Sequence, residues 1–289
     1  MTGLKNLSRI AAWLSVWVIV SLACSLPGLS DTQETPEKPV VEPASPSTPT
    51  PAVQALYRGN ELLLIQLPAG LSQVVSPLQV AGFSGPAFEQ SLVARLSGAE
   101  GETLAEAYPI IQADTGQAGA FQAALDFTVA AEQPGRVSVF QTSPRDGGMV
   151  HLSSAALTLL PAGHAELLQN DFLYEVIEIY SPGLMEEIAG GVLRVEGYSE
   201  YFFESSLALA LCGEGGTGAP DFICGTVDNI LAEGYVMIDS PDIGRSGPFG
   251  GTITYSVAAP IRARLVVYAV SPRDGAIEHL SSVEITLMH

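Results

Sequence analysis

The chain has 289 residues, of which 47% are hydrophobic and 15% charged. This balance favours short, half-buried strands over charge-rich helices and excludes disorder of the chain as a whole. Its formal net charge is −19 at pH 7, and a surface this acidic repels phosphates, which excludes nucleic acid as a partner. The length is sufficient for a tether and two domains of ordinary size.

Residues 1–23 are predicted to form a lipoprotein signal peptide. Lys5 and Arg9 precede an uncharged apolar stretch, residues 10–22, that is too short to span a bilayer. The segment Val20-Ser21-Leu22-Ala23-Cys24 resembles the lipobox of bacterial lipoproteins, which implies that Cys24 is lipidated and becomes the mature N-terminus. The serine three positions before the cysteine departs from the usual leucine, so ordinary signal-peptidase cleavage and an uncleaved anchor are the alternatives. The expected location is extracytoplasmic, with the membrane as partner through the lipid.

Residues 24–57 are predicted to form a disordered tether rich in proline, serine and threonine. Six prolines lie between Pro36 and Pro51 inclusive. Proline at this density favours extended polyproline conformations of about 3 Å per residue. Such a tether would allow the domains to lie up to roughly 80 Å from the membrane.

An internal repeat organises the rest of the chain into two expected domains, residues 58–160 and 172–289, with a joint at residues 161–171. The turn sequence Ser-Pro-Arg-Asp-Gly occurs in both copies, and the second copy has an insertion of 13 residues between Leu207 and Gly247. The repeated positions are Gly82 and Gly197, Phe88 and Phe203, Glu89 and Glu204, Phe121 and Phe249, Arg136 and Arg264, Asp146 and Asp274, and Gly147 and Gly275.

Short apolar runs that alternate with polar residues predict about seven strands in each copy. The Asp-Gly steps at 146–147 and 274–275 predict a tight hairpin turn before the final strand of each. An all-β fold of two antiparallel sandwiches follows from this pattern, and a small barrel is the alternative.

Each copy resembles the immunoglobulin-like domain associated with bacterial spore germination proteins. The matching features are Ser76-Pro77, the Val-x-Gly motif that follows it, the Phe88-Glu89 step, Phe121 before a strand, and the shared turn. The second copy keeps the Val-x-Gly, Phe-Glu, Phe and turn motifs. The resemblance implies two tandem immunoglobulin-like β-sandwich domains, no enzymatic activity and no established ligand.

Under this interpretation the three cysteines have two roles. Cys24 carries the lipid, and Cys212 and Cys224 remain as a pair inside the insertion. Outside the cytoplasm, with no further cysteine or clustered histidine, such a pair is more typical of a disulfide than of a metal site. We expect the insertion to form a flexible, disulfide-closed surface loop and to act as the specificity element of the protein.

His151 and His279 are equivalent positions, each within a His-Leu-Ser-Ser sequence. One histidine in each domain does not provide enough ligands for a metal site. The sequence therefore predicts that both histidines face solvent on a strand and that the protein binds no metal and no cofactor.

A structural contact from Glu89 to Arg136, repeated from Glu204 to Arg264, is expected across the edge of each sandwich. No arrangement of residues in the sequence is typical of catalysis, so we expect that the protein is not an enzyme. The predicted function is non-catalytic binding or spacing in the cell envelope, with an unknown protein or cell-wall ligand. The alternative is an accessory domain pair for an envelope enzyme on another chain.

Overall fold

The computed structural model describes residues 62–170, 174–242 and 244–289, all in one compact unit. The predicted signal peptide, Cys24 and tether lie outside these residues. The described part is all-β, with 54% of the chain in strands, which confirms the predicted fold class. It contains no helix that is long and apolar enough to cross a membrane.

We call residues 62–160 module 1 and residues 174–289 module 2. The strands of module 1 are β1 Leu63–Leu67, β2 Gln73–Val74, β3 Leu78–Ser84, β4 Val93–Ser97, β5 Thr103–Ala107, β6 Gly119–Leu125, β7 Gln133–Thr142 and β8 Met149–Leu159. Those of module 2 are β9 Ile177–Ser181, β10 Glu186–Ile188, β11 Val192–Ser199, β12 Ser206–Cys212, β13 Pro220–Asp221, β14 Gly225–Thr226, β15 Ile230–Met237, β16 Gly247–Thr254, β17 Ile261–Val270 and β18 Ile277–Leu287.

The same strand order occurs in both modules. Module 1 has a three-stranded sheet β1-β3-β6 opposite the strands β5-β4-β7-β8, and module 2 has β9-β11-β16 opposite β15-β12-β17-β18. Neighbouring strands in these series pair antiparallel. Seven main strands in each module agree with the number predicted from the apolar runs.

The repeated glycine and phenylalanine of each module form one packing unit. Gly82 pairs with Phe121 across β3 and β6, and Gly197 pairs with Phe249 across β11 and β16. A Cβ atom on Gly82 would lie 2.7 Å from Cζ of Phe121, and one on Gly197 would lie 2.3 Å from Cζ of Phe249. Because each ring covers the backbone of its glycine, these repeated residues build the core rather than a binding site.

The two modules share one sheet. Strand β18 pairs antiparallel with β8 through His279 opposite Ser153 and Leu280 opposite Leu152, which joins both four-stranded sheets and two short edge strands into ten strands. Leu152 and Leu280 are equivalent residues of the two modules, so the junction has local two-fold character. A separate cluster of buried apolar side chains lies at this junction: Phe140, Met149, Leu152, Ala210, Cys212, Cys224, Val266 and Leu280.

The predicted joint lies along module 1. The backbone N–H of Ala69 donates to the Leu168 carbonyl over 2.7 Å, and Gln73 and Glu166 exchange two backbone hydrogen bonds of 2.9 and 2.8 Å. The N–H of Asn170 continues the series by donating to the Gln66 carbonyl over 2.8 Å. These bonds fix the path of the chain up to the start of module 2.

Candidate functional site

Two arginines of the central sheet reach across the junction to the turn of the other module. Arg136 on β7 lies 3.4 Å from Asp274, in the turn between β17 and β18. Arg264 on β17 lies 3.3 Å from Asp146, in the turn between β7 and β8. Since Arg136 is equivalent to Arg264 and Asp146 to Asp274, the same contact is made in both directions, and we call the two contacts the crossed pairs.

The two crossed pairs differ in burial. The side chain of Arg264 is fully buried and that of Asp146 is 2% exposed, whereas Arg136 and Asp274 are 6% and 15% exposed. Burial alone would raise the pKa of Asp146, but the Arg264 charge and the Gly148 N–H more than offset it and lower the pKa. Both partners of the Arg264 pair are therefore charged at neutral pH in a desolvated setting.

A second group of polar side chains meets beside the crossed pairs, and we call it the histidine–glutamate cluster. His151 is on β8, His279 is on β18, and Glu175 precedes β9. Both imidazole Nε2 atoms face the same oxygen, Oε1 of Glu175, at 2.9 Å for His151 and 2.6 Å for His279. The other carboxylate oxygen accepts from the backbone N–H of Leu63 over 3.2 Å. Glu175 thus connects both modules.

The environment keeps Glu175 ionised. Burial alone would raise the pKa of this carboxyl, but the charge and hydrogen bonds of His151 and His279 outweigh burial and lower the pKa to about 2. A cavity of about 250 Å³ lies next to the cluster and is lined by residues of both modules, among them Arg136, Ser153, Asn170 and His279. The arrangement combines a buried, ionised carboxylate with two imidazoles beside a cavity.

The disulfide-closed insertion docks onto module 1. Cys212 and Cys224 form the predicted disulfide, with their Cα atoms 5.2 Å apart. The carbonyl of Phe222 accepts from the Met149 N–H over 3.1 Å, and the Phe222 ring meets the edge of Phe140 with centroids 5.9 Å apart. The expectation of a freely displayed loop is therefore wrong for its inner side, because this side completes the junction.

The approach of the loop explains an asymmetry between the two shared turns. A Cβ atom on Gly148 would lie 2.5 Å from the Ile223 carbonyl oxygen and 2.8 Å from the Gly225 nitrogen. Module 2 has Ala276 at the equivalent position. Module 1 has the short connection 98–102 between β4 and β5 where module 2 carries the insertion. At this position, therefore, only the turn of module 1 needs a residue without a side chain.

A comparison with protein families gives a match to one part of the chain, module 1. Residues 62–148 match the family model of the immunoglobulin-like domain of bacterial spore germination. The match covers module 1 up to the turn before β8 and confirms the resemblance for that module, while the second copy stays a prediction. No curated protein matches the chain significantly.

Several solved structures are similar to the chain. A chain described as the BSP domain of a biofilm-associated protein is 15% identical, with 77% of this chain and 30% of that chain covered and a TM-score of 0.20. A marsupial T cell receptor is 10% identical, with 78% and 73% covered and a TM-score of 0.22. A chimeric titin Z1Z2 tandem is 15% identical, with 79% and 98% covered and a TM-score of 0.19. The chain thus spans less than a third of the length of the biofilm-associated chain.

Two predictions about the repeated residues are wrong. His151 and His279 were expected to face solvent, but they are 1% and 3% exposed, because docking of the modules covers the strand face that each occupies. The arginines pair with acids of the opposite module and not with Glu89 and Glu204, which lie in 3₁₀ turns.

Other predicted positions are placed as follows. Phe88 is 61% exposed, and the side chain of Phe203 lies outside the described residues. Gly147 and Gly275 have positive φ values of 74° and 69°, as the predicted hairpin turns require. Sequence reasoning missed Glu175, which belongs to no repeated motif that was recognised. The recurrence of one histidine at equivalent positions was the signal that two imidazoles could meet at a two-fold junction.

Proposed function

We propose that this chain is a non-catalytic, lipid-anchored protein of the cell envelope whose two modules are copies of one immunoglobulin-like domain and act as a single rigid unit for binding or spacing. The observation that carries the proposal is the junction. A continuous sheet, a shared apolar cluster and two crossed pairs join the modules, whereas domains linked by small polar contacts move relative to one another.

The anchor rests on the sequence. The basic start, the apolar stretch and the Ala23-Cys24 step support secretion and lipidation, and the proline-rich tether supports a position away from the membrane. A rigid unit on such a tether would present its surface at a distance from the lipid, toward an unknown protein or a cell-wall ligand.

The outer side of the disulfide-closed loop is the best candidate for contact with that ligand. Its inner side packs on module 1, where Glu214 lies 3.6 Å from Arg145, while Thr217 and Ala219 are exposed. The disulfide and the docked side hold the loop in place, which lowers the conformational entropy lost on binding. Loops held by a rigid scaffold are frequent binding elements.

Anchoring and binding are tested by separate variants. Cys24→Ala should release the protein into the medium, and unchanged membrane retention would contradict the anchor.

For binding, Thr217→Arg with Ala219→Arg changes only exposed loop positions, and Glu100→Arg in the short loop of module 1 is the matched control. Surface crosslinking should recover a different set of partners with the loop variant and the native set with the control.

An unaltered set of partners would reject the loop as the binding element. Recovery of one envelope hydrolase in stoichiometric amount would favour the accessory-domain alternative. Turnover of a wall polymer or peptide by the purified protein would contradict the non-catalytic assignment.

A further inference from the structure

The histidine–glutamate cluster has the composition of a metal site. Two imidazole nitrogens and one carboxylate oxygen from three separate segments lie within 4.8 Å of one another. The side chains of His151, His279 and Glu175 are 1%, 4% and 11% exposed. Two histidines and one carboxylate are a common set of three protein ligands for Zn²⁺, which leaves a fourth position open.

The hydroxyl group of Ser281 provides a second, independent observation. The hydroxyl donates to the Ile177 carbonyl over 2.7 Å, and its oxygen lies 3.4 Å from Oε1 of Glu175. Ser281 therefore places a further oxygen next to the three candidate ligand atoms, where it could complete a set of four.

The distances are compatible with a small rearrangement around an ion. Zn²⁺ lies about 2.0–2.2 Å from nitrogen and oxygen ligands, so tetrahedral ligand atoms are roughly 3.3 Å apart. The two imidazole nitrogens lie 2.9 and 2.6 Å from the carboxylate oxygen. A rotation of the rings that opens these distances by about half an ångström would accommodate the ion. A cavity that His279 also lines lies beside the cluster.

We propose that His151, Glu175 and His279 bind one Zn²⁺ ion, with the Ser281 hydroxyl or a water molecule as fourth ligand, and that the ion links the two modules. His151 belongs to module 1, while Glu175, His279 and Ser281 belong to module 2, so the site is complete only when the modules are docked. The inference is independent of the proposed function, because the ligands converge whether or not the protein is anchored or has a partner.

The test uses the full chain purified in detergent, stripped with EDTA and titrated with ZnCl₂ in an isothermal calorimeter. We expect one ion per chain, and Co²⁺ in its place should give the visible absorption of a tetrahedral site. A hundredfold excess of Zn²⁺ over its dissociation constant should raise the melting temperature by about 5 °C or more. Millimolar Ca²⁺ should not compete, because it prefers oxygen ligands.

His279→Gln is the decisive variant, since its amide can still donate a hydrogen bond to Glu175 while the imidazole ligand is lost. It should bind Zn²⁺ at least tenfold more weakly, whereas His164→Gln, at an exposed histidine of the joint, should bind like the native chain. Equal affinity of the native chain and His279→Gln would overturn the proposal and indicate binding to surface carboxylates. Absence of one-to-one binding in the native chain alone would also overturn it, whatever the variants do, and would leave the cluster as a hydrogen-bonded contact.

Discussion

The side chain of Arg264 is fully buried, and its guanidinium group lies among acceptor groups from several segments of the chain. Its Nη2 atom is 3.3 Å from Asp146 and 3.3 Å from the Ile223 carbonyl of the docked loop, and its Nη1 atom is 3.6 Å from Glu284. A buried charge of this kind is tolerated only while a partner charge stays in place. The position of the Asp146 turn is therefore coupled to the stability of module 2.

Loss of the Asp146 charge should destabilise the protein strongly. Asp146→Asn leaves the buried Arg264 with only the more distant Glu284 carboxylate, at 3.6 Å, and removal of one partner of a buried pair costs about 3–5 kcal/mol. Asp274→Asn is the matched variant at the equivalent, more exposed pair and should cost less. Urea unfolding of both variants measures the difference. Equal losses would contradict the ranking by burial.

The same carboxylates predict a pH dependence. The pKa values of Asp146 and Asp274 are both lowered. Burial opposes the shift in each, but it is outweighed by the Arg264 charge together with hydrogen bonds for Asp146, and by hydrogen bonds together with the Arg136 charge for Asp274. A lowered folded pKa stabilises the native state above the unfolded value of about 3.9, and this contribution disappears as pH falls through the folded pKa. Unfolding free energies measured from pH 6 down to pH 2 should therefore decrease, with a smaller decrease in the Asp146→Asn, Asp274→Asn double variant.

Gly148 should tolerate no side chain. Gly148→Ala places a methyl group 2.5 Å from the Ile223 carbonyl, so the docked loop must move or the turn must shift. Gly70→Ala is the control, since a Cβ atom there meets nothing within 4 Å. We expect a loss of about 1–3 kcal/mol for Gly148→Ala, by analogy with overpacking of a core, and little change for Gly70→Ala. Native stability of Gly148→Ala would show that the loop is free to move from the turn.

At the level of elements, the strands could be predicted and their docking could not. Alternating apolar residues in β7 and β17 report local burial, so they predict strands and sheet faces. The burial of His151 and His279 depends on an edge-to-edge contact between β8 and β18, which leaves no periodic signal in either strand. The disulfide was predictable because it depends only on two cysteines in one insertion, whereas the docking of Phe222 depends on the distant turn at Gly148.

The disulfide should contribute to stability through the loop that it closes. The two cysteines are separated by 12 positions, and a closed loop of this size restricts the unfolded chain enough to stabilise the fold by roughly 3 kcal/mol. Cys212→Ser with Cys224→Ser should lower the urea midpoint accordingly. Reduction of the native protein should give the same loss, while the variant should be insensitive to reductant. A variant with the native midpoint would show that contacts with module 1 alone hold the loop.

The whole molecule has a core in each module and a third apolar cluster between them. The first core includes Leu63, Leu96 and Phe121, and the second includes Leu193, Leu209 and Leu265. Each module thus has a hydrophobic core of its own. The junction cluster and the crossed pairs form only when both modules are present, so the domain boundaries at 58–160 and 172–289 stay a prediction about independent folding.

Separate expression of the halves tests that prediction. Residues 58–170 and 172–289 should each give a β-rich circular dichroism spectrum, because each contains its own core. Each should be less stable than the full chain by about 3 kcal/mol or more, since Arg136 and Arg264 lose their partners across the junction. The shorter fragment 58–160 is the matched comparison, and it should be less stable than 58–170 because it lacks the backbone bonds from Gln73 to Glu166. Halves that are both unfolded would show that the two modules form one cooperative unit, and halves as stable as the full chain would show that the junction contributes nothing to folding.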